Sequence, residues 1–248
     1  MKLEEFFAAC PDVAVAFSGG VDSAYLLYAA QKYAKNVRAY YVKSEFQPQF
    51  EYDDAQRLAA QLGASMQVLE LRVLSVSSVR ENPKDRCYYC KKAIFTAIVQ
   101  AAREDGYTVL ADGTNASDDA GDRPGMRALE ELSVRSPLRE CGLTKSEIRR
   151  LSKEAGLFTW DKPAYACLAT RIPTGEAITP DKLAATEAAE AYLFSLGFTD
   201  FRVRSQNGHA RIQLLESQIP LLMQHREEIR EKLKTDYKTV SLDLEARA

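Results

Sequence analysis

Histidine is nearly absent: His209 and His225 are the two in 248 residues, and both read as surface or core residues of the C-terminal part. The C-x-x-C pair at Cys87 and Cys90 has no second pair to complete it. These gaps exclude a four-ligand zinc site of ordinary spacing. No stretch approaches the ~20 apolar residues of a membrane-spanning helix. The opening Met1-Lys2-Leu3-Glu4-Glu5-Phe6-Phe7 lacks the apolar run of a signal peptide, so a cytoplasmic protein with no membrane partner is expected. Neither sign of charge dominates. The 33 Lys and Arg against 35 Asp and Glu leave −2, so no broad positive field exists to hold a nucleic acid. Internal repeats, low-complexity tracts and the G-x-x-x-x-G-K-S/T phosphate loop are also missing.

Apolar residues make up 46% of the chain, enough for a sizeable core, and 248 residues suit one α/β domain with a small appendage. The most informative stretch is Ser18-Gly19-Gly20-Val21-Asp22-Ser23. An apolar strand, Val13 to Phe17, precedes it, and a helical stripe of Leu26, Ala29, Ala30 and Tyr33 follows. Strand, glycine turn, helix is an arrangement that aims free backbone N–H groups at an anion. The glycines permit close approach, and Ser18 and Ser23 add hydroxyl donors. A carboxylate repels phosphate, so Asp22 reads as the holder of a magnesium ion that bridges phosphates. The lysine that reaches the β and γ phosphates in the Walker loop is missing here.

Apolar runs alternate with helical stretches through the first ~160 residues, the pattern of a parallel sheet covered by helices. Val37 to Val42, Met66 to Val73, Tyr107 to Ala111 and Val134 to Leu138 read as further strands. Asp53 to Leu62 and Cys90 to Glu104 read as helices, and Thr144-Lys145-Ser146-Glu147 is a capping box opening another that ends near Gly156. Three prolines and a glycine between 161 and 180 mark a loop and linker. Beyond it stand a helix (Leu183 to Leu196), a hairpin around Asn207-Gly208, a helix (Ile219 to Leu233) and a strand (Thr239 to Leu244).

Ligands of a parallel sheet sit at the carboxyl ends of its strands. The loop from Asp112-Gly113-Thr114 to Asp122-Arg123-Pro124-Gly125 falls there, and reads as a device for positioning substrate and metal, or as a solvated turn. Lys43 ends the second strand, where it would border a nucleotide. Five cysteines in a cytosolic chain do not read as disulfides. Cys10 and Cys141 read as packing residues. Cys87 and Cys90 open a helix, and Cys167 lies in the unusual loop Tyr165 to Gly175. Three thiolates, two adjacent and one remote, suit a cubane [4Fe-4S] cluster with one iron left open for sulfide, three unligated thiols being the plain alternative. Arg202 and Arg204 alternate along a strand and so share a face, which suits a phosphate, a pair of solvated strand arginines being the plain alternative.

The hexamer resembles the loop of the PP-loop ATP pyrophosphatases, which cleave ATP between the α and β phosphates. C-Y-Y-C-K-K at Cys87, D-G-T-N at Asp112, D-R-P-G at Asp122, S-P-L-R at Ser136, the run from Ala166 to Gly175 and R-V-R at Arg202 extend a resemblance to the LarE family over nearly the whole chain. The resemblance implies an α/β fold. A parallel-sheet PP-loop domain of the adenine nucleotide alpha hydrolase-like, Rossmann-like kind would cover 1–165, the cysteine loop and linker 166–180, and a small C-terminal α+β domain 181–248. It implies an ATP-dependent sulfurtransferase that adenylates a carboxylate of pyridinium-3,5-biscarboxylic acid mononucleotide, then replaces AMP with sulfur to give a thiocarboxylate. That product matures into the nickel-pincer nucleotide of lactate racemase.

The site residues implied by this resemblance are Ser18, Gly19, Gly20, Asp22, Ser23, Lys43, Asp112, Gly113, Thr114 and Arg171 for ATP, and Arg202, Arg204, Glu190 and Arg123 for the substrate. Asp22 and Cys167 are the implied catalytic residues, and ATP, Mg2+ and the cluster the implied cofactors. Family members draw sulfur either from a sacrificial loop cysteine, which falls at Ala166 here, or from a cluster on three cysteines. This sequence matches the second pattern, with Cys87, Cys90 and Cys167 as ligands and a sulfide donor as partner; sacrifice of Cys167 is the alternative. The resemblance also implies a homo-oligomer, a hexamer. Family members usually continue with more basic residues at the C-terminus, which leaves Arg247 a weak substrate contact. A PP-loop tRNA thiolase, an amide-forming synthetase of the NAD or GMP kind and a non-catalytic nucleotide sensor are the competing readings. The negative charge opposes the first, and three placed cysteines lack purpose in the second. Pyrophosphate release would separate an enzyme from the third.

Overall fold

The structure, a computed structural model, describes residues 1–118, 123–245 and 247, the Arg123 side chain excepted. In chain order the elements are α1 (Leu3–Ala9), β1 (Asp12–Ala16), α2 (Val21–Tyr33), β2 (Asn36–Lys43), α3 (Gln49–Leu62), β3 (Met66–Glu70), α4 (Ser77–Arg80), α5 (Arg86–Glu104), β4 (Val109–Ala111), α6 (Arg123–Glu131), α7 (Pro137–Glu140), α8 (Lys145–Glu154), α9 (Pro180–Ser195), β5 (Arg202–Gln206), β6 (His209–Gln213), α10 (Ile219–Gln224), α11 (Arg226–Leu233) and β7 (Thr239–Leu242). They divide into two compact units, Met1–Val73 with Asp85–Ala164, and Leu74–Lys84 with Tyr165–Ala248.

The first unit is built on a parallel sheet of order β3-β2-β1-β4. Its strands are apolar on both faces because both faces are covered. Val13, Val15, Ala39 and Tyr41 pack with Leu26, Leu27, Ala55, Leu58 and Ile148 in one core cluster. Ala14, Tyr40, Val42 and Leu110 pack with Ile98, Ala101 and Ala102 of α5 in another. The chain leaves β1 toward β2 on one side and returns through β4 on the other. A crevice therefore opens beyond the carboxyl ends of β1 and β4, where such sheets hold ligands.

Two expectations fail in this unit. Val134 to Leu138 is not a strand: a single bridge joins Arg135 to Ala111, and the chain then turns into α7. Pro137 has no N–H for a ladder and its fixed φ suits the first position of a helix. Tyr33, expected on the apolar stripe of α2, is exposed, with the Lys32 ammonium over its ring. The capping box forms as read: Thr144 accepts from the Glu147 N–H and the Glu147 carboxylate accepts from the Thr144 N–H.

The second unit carries a sheet of order β5-β6-β7, the hairpin antiparallel and β7 parallel to β6. Val203, Ala210 and Ile212 pack against Leu193, Leu222, Ile229 and Leu233. The helix expected from Ile219 to Leu233 is two helices, broken at His225, whose backbone sits at φ −100°, ψ 11°. Leu74–Lys84 belongs to this unit through Asn82, 2% exposed, whose amide donates to the Pro173 and Glu176 carbonyls at 2.8 and 3.1 Å. No helix among the described residues is long and apolar enough to cross a membrane.

Candidate functional site

A cavity of about 340 Å³ opens in the first unit at the crevice. Ser18, Gly20, Asp22 and Ser23 line one end, with Asp112, Gly113, Thr114 and Asp118 beside them. Gly20 is the N-cap of α2 and no side chain caps the helix. The first-turn N–H groups of α2 have no intrahelical acceptor, and the helix presents its positive end to the cavity. Ser23 is not a free donor: its hydroxyl donates to the Gly20 carbonyl at 3.1 Å and accepts from the Ser18 N–H at 3.2 Å, bracing the loop from within. Gly19 has φ 76°, and a Cβ there would lie 3.0 Å from the Ala55 Cβ. At Gly113 a Cβ would come within 2.9 Å of the Ser23 nitrogen, so only glycine lets the loop after β4 sit on the first turn of α2.

Asp22 faces two partners that lie far away in sequence. The Lys145 ammonium stands 2.5 Å from one carboxylate oxygen, and the Asn115 amide donates to the other at 3.3 Å. Lys145 opens α8, and its N–H donates to the Ser117 hydroxyl at 3.0 Å. The cation missing from the glycine loop is therefore supplied across 123 positions of chain. The capping box marks where this helix begins, but no local signal says where it points. Asp112 is 7% exposed and accepts from the Ser136 and Thr114 hydroxyls at 2.6 and 2.5 Å. Burial raises its pKa against those hydrogen bonds.

The other end of the cavity is apolar, lined by Tyr40, Val42, Ile94, Phe95 and Ile98, and Gln47 also lines the cavity. Along β2 the Ala39 N–H and the Lys43 carbonyl bond the β3 side. The Tyr40 carbonyl accepts the Phe17 N–H at 2.9 Å on the β1 side. Val42 therefore also turns its N–H and C=O toward the β1 side, beyond the last β1 pair at Ala16 and Tyr40. Lys43 does not line the cavity: its ammonium donates to the Gln47 carbonyl at 3.2 Å and lies over the Tyr52 ring.

In the same unit, Cys87 and Cys90 stand on the first turn of α5, three residues apart and so on one face. Neither cysteine is in a disulfide, both are partly buried, and the Arg86 guanidinium lies 3.5 Å from the Cys87 sulfur. Two partly accessible thiols at a helix N-terminus, beside a cation, are a donor set that fits a thiolate-bound cluster. Among the described residues no group of three or more His, Cys, Asp or Glu side chains that could hold a metal ion is present. A magnesium ion carried by phosphates does not require such a group, since one or two carboxylates suffice.

The second unit gathers the remaining residues. Arg171 and Glu190 are both 1% exposed. Nε and Nη2 of Arg171 donate to the two Glu190 oxygens at 2.8 and 3.1 Å, and Nη1 donates to the Ala166 carbonyl at 2.8 Å. Burial opposes the Arg171 charge, but the Glu190 carboxylate outweighs it and the pKa is raised. Glu190 also accepts the Val203 N–H at 2.9 Å and the Tyr165 hydroxyl. Arg171, expected at ATP, and Glu190, expected at the substrate, are thus engaged with each other. Together they tie the turn that follows Cys167 to α9 and β5. Arg204 donates to the Thr170 carbonyl at 2.7 Å, and Arg247 to Asp200 at 2.9 Å. Burial first, then the charges of Arg171 and Arg247, lower the pKa of both Arg202 and Arg204. Arg202 and Arg204 thus lie close enough to Arg171 and Arg247 to feel their charge. Cys167 stands at the N-cap of the 3-10 turn Leu168–Arg171 and is in no disulfide. Arg123 is the one expected site residue whose side chain lies outside the described residues.

A glycine loop after β1, an uncapped helix end and a cation brought in beside the loop carboxylate are the construction of a PP-loop enzyme, which uses ATP. Residues 8–116 match the asparagine synthase family. The pyridinium-3,5-bisthiocarboxylic acid mononucleotide synthase of Lactiplantibacillus plantarum is 37% identical over 235 residues, 94% of this chain and 85% of that protein. An uncharacterized protein of Synechocystis sp. is 37% identical over 224 residues, 90% of this chain and 84% of its own length. Another, from Methanocaldococcus jannaschii, is 29% identical over 234 residues, 94% of this chain and 89% of its own. The chain belongs to the LarE family of ATP-dependent sulfurtransferases.

Proposed function

We propose that the protein adenylates a carboxylate of pyridinium-3,5-biscarboxylic acid mononucleotide and converts it to a thiocarboxylate, a step toward the nickel-pincer nucleotide of lactate racemase. The observation that carries the proposal is the pairing of Asp22 and Lys145 at the uncapped end of α2, joined to the 37% identity with the named synthase. A substrate carboxylate oxygen attacks the α phosphorus of ATP, and the bond to the β phosphate oxygen breaks. The departing pyrophosphate takes its electron pair toward the α2 N–H groups and Lys145; Asp22 would hold a magnesium ion, which would supply positive charge against the phosphates. The mixed anhydride turns a poor electrophile into a good one, and sulfur then displaces AMP at the acyl carbon. Arg202 and Arg204, with Arg247 beside them, hold the phosphate of the mononucleotide. Glu190 and Arg171 hold the turn behind Cys167.

The sulfur source in this reading is a [4Fe-4S] cluster on Cys87, Cys90 and Cys167, which when bound supplies an exchangeable sulfide replenished by a donor. The acting form is a homo-oligomer, a hexamer, in the cytoplasm. Anaerobic protein should contain about four irons per chain with matching labile sulfide. It should release AMP, pyrophosphate and thiocarboxylate over repeated turnovers with the Cys167 peptide unchanged in mass. Iron-free protein that turns over once, and whose Cys167 peptide loses the mass of hydrogen sulfide, would show that Cys167 itself is consumed.

Arg202→Ala and Arg204→Ala should each weaken substrate binding about tenfold or more while leaving ATP binding within about twofold, since a charged hydrogen bond to phosphate contributes roughly 1.5–3 kcal/mol. Titration of each variant with each ligand separates the two. Equal losses for ATP and substrate would remove these arginines from the substrate site.

A further inference from the structure

We propose that Gln47 reads the base of the nucleotide, its side-chain N–H2 donating to a ring nitrogen of adenine. This rests on the ATP reading above and deepens it by naming a specificity residue of the cavity.

The orientation of a glutamine amide is ordinarily a matter of assignment, since its oxygen and nitrogen look alike. Here the surroundings decide it. One amide atom of Gln47 stands 3.1 Å from the backbone N–H of Ser44, which can only donate, so that atom is the oxygen. The Ser44 hydroxyl accepts the Phe46 N–H at 3.3 Å and turns its own proton to the same Gln47 oxygen at 2.6 Å. The main chain of Gln47 is engaged as well, its N–H with the Ser44 carbonyl at 3.3 Å and its carbonyl with the Lys43 ammonium at 3.2 Å. Gln47 lines the cavity, and with its oxygen and main chain so engaged Nε2 is the group it has left to offer a ligand there.

That end of the cavity is otherwise greasy. Ile94, Phe95, Ile98 and Tyr40 offer a flat base apolar walls, and the Val42 backbone offers one donor and one acceptor. Few-atom polar recognition inside an apolar slot is how a site separates bases of equal size. A donor held by Ser44 loses little freedom on binding and discriminates against a base that presents another donor. A site built around a hydrogen bond rejects a ligand lacking its half of it more sharply than a greasy pocket rejects a change of size.

The test is a binding cycle by calorimetry on the full chain with ATP and its 1-deaza, 3-deaza and 7-deaza analogues, for the wild type and Gln47→Glu. The variant keeps an oxygen for Ser44, and with it the loop, but loses the donor. The wild type should bind one deaza analogue about tenfold less tightly than ATP. Gln47→Glu should bind ATP about tenfold less tightly, and the penalty for that analogue should vanish in it. A variant that binds ATP like the wild type, or a cycle in which no deaza penalty shrinks, overturns the proposal and leaves Gln47 a brace for Ser44. A wild type that binds no ATP would overturn the ATP reading itself. Should Gln47→Glu not fold, Gln47→Met carries the same cycle.

Discussion

Asp22→Ala should lower substrate-dependent pyrophosphate release by about a hundredfold to a thousandfold while the protein stays folded, the range seen when one group aimed at developing charge is removed. Asp22 lines the cavity on the first turn of α2 and has no packing role: it meets the Lys145 ammonium at 2.5 Å and the Asn115 amide at 3.3 Å. The Lys145 and Asp22 side chains keep 35% and 22% of their exposure, so the pair contributes only about 0–1 kcal/mol to stability. Its removal should barely move a urea midpoint. The effect on turnover should be of another order, because in the proposed reaction this carboxylate would hold the ion that neutralises the phosphates. Lys145→Ala should slow pyrophosphate release by a similar route, leaving ATP without its cation at the leaving group. Wild-type release by a folded Asp22→Ala protein would mean that the loop carboxylate does no chemistry.

Glu190→Ala should destabilise the second unit by about 3–5 kcal/mol, the cost of leaving a buried charge without its partner. The Arg171 side chain is 0% exposed and that of Glu190 2%, so water cannot replace the lost carboxylate. The Val203 N–H and the Tyr165 hydroxyl lose their acceptor in the same substitution. Glu190→Gln should do less harm, because an amide oxygen still accepts from Arg171 or Val203 while the charge is gone. Urea unfolding followed by two probes, one in each unit, measures the difference without assuming that the chain unfolds as one body. A loss below about 1 kcal/mol in Glu190→Ala would show that Arg171 finds another anion, and would return Glu190 to the substrate.

Much of the first unit was legible because its signals are local. A glycine pair between an apolar strand and a helical stripe, and a Thr-x-x-Glu box before α8, form within a few residues and look in the sequence as they do in the fold. Arg202 and Arg204 share a face because β strands alternate, and that too can be read off spacing. The false strand at Val134 to Leu138 shows the limit of such reading. Apolar residues suggested a strand, but Pro137 lacks the N–H a ladder needs, and the chain forms one bridge and turns. Cys87 and Cys90 were expected to open a helix, and α5, which begins at Arg86, carries both on its first turn.

The sequence by itself determined that a parallel sheet would present a glycine loop to an anion, and that the chain belongs with the enzymes that use such loops on ATP. Only the tertiary structure decided which charges meet. It brought Lys145 to Asp22 across 123 positions, joined Arg171 to Glu190, and fixed the amide of Gln47 by the one-way donor of Ser44. The physical reason is the range of the forces. Helix caps, turns and strand alternation follow from contacts within a few residues. An ion pair or a buried hydrogen bond is set by where packed elements bring their side chains, and no periodicity in the chain encodes that separation.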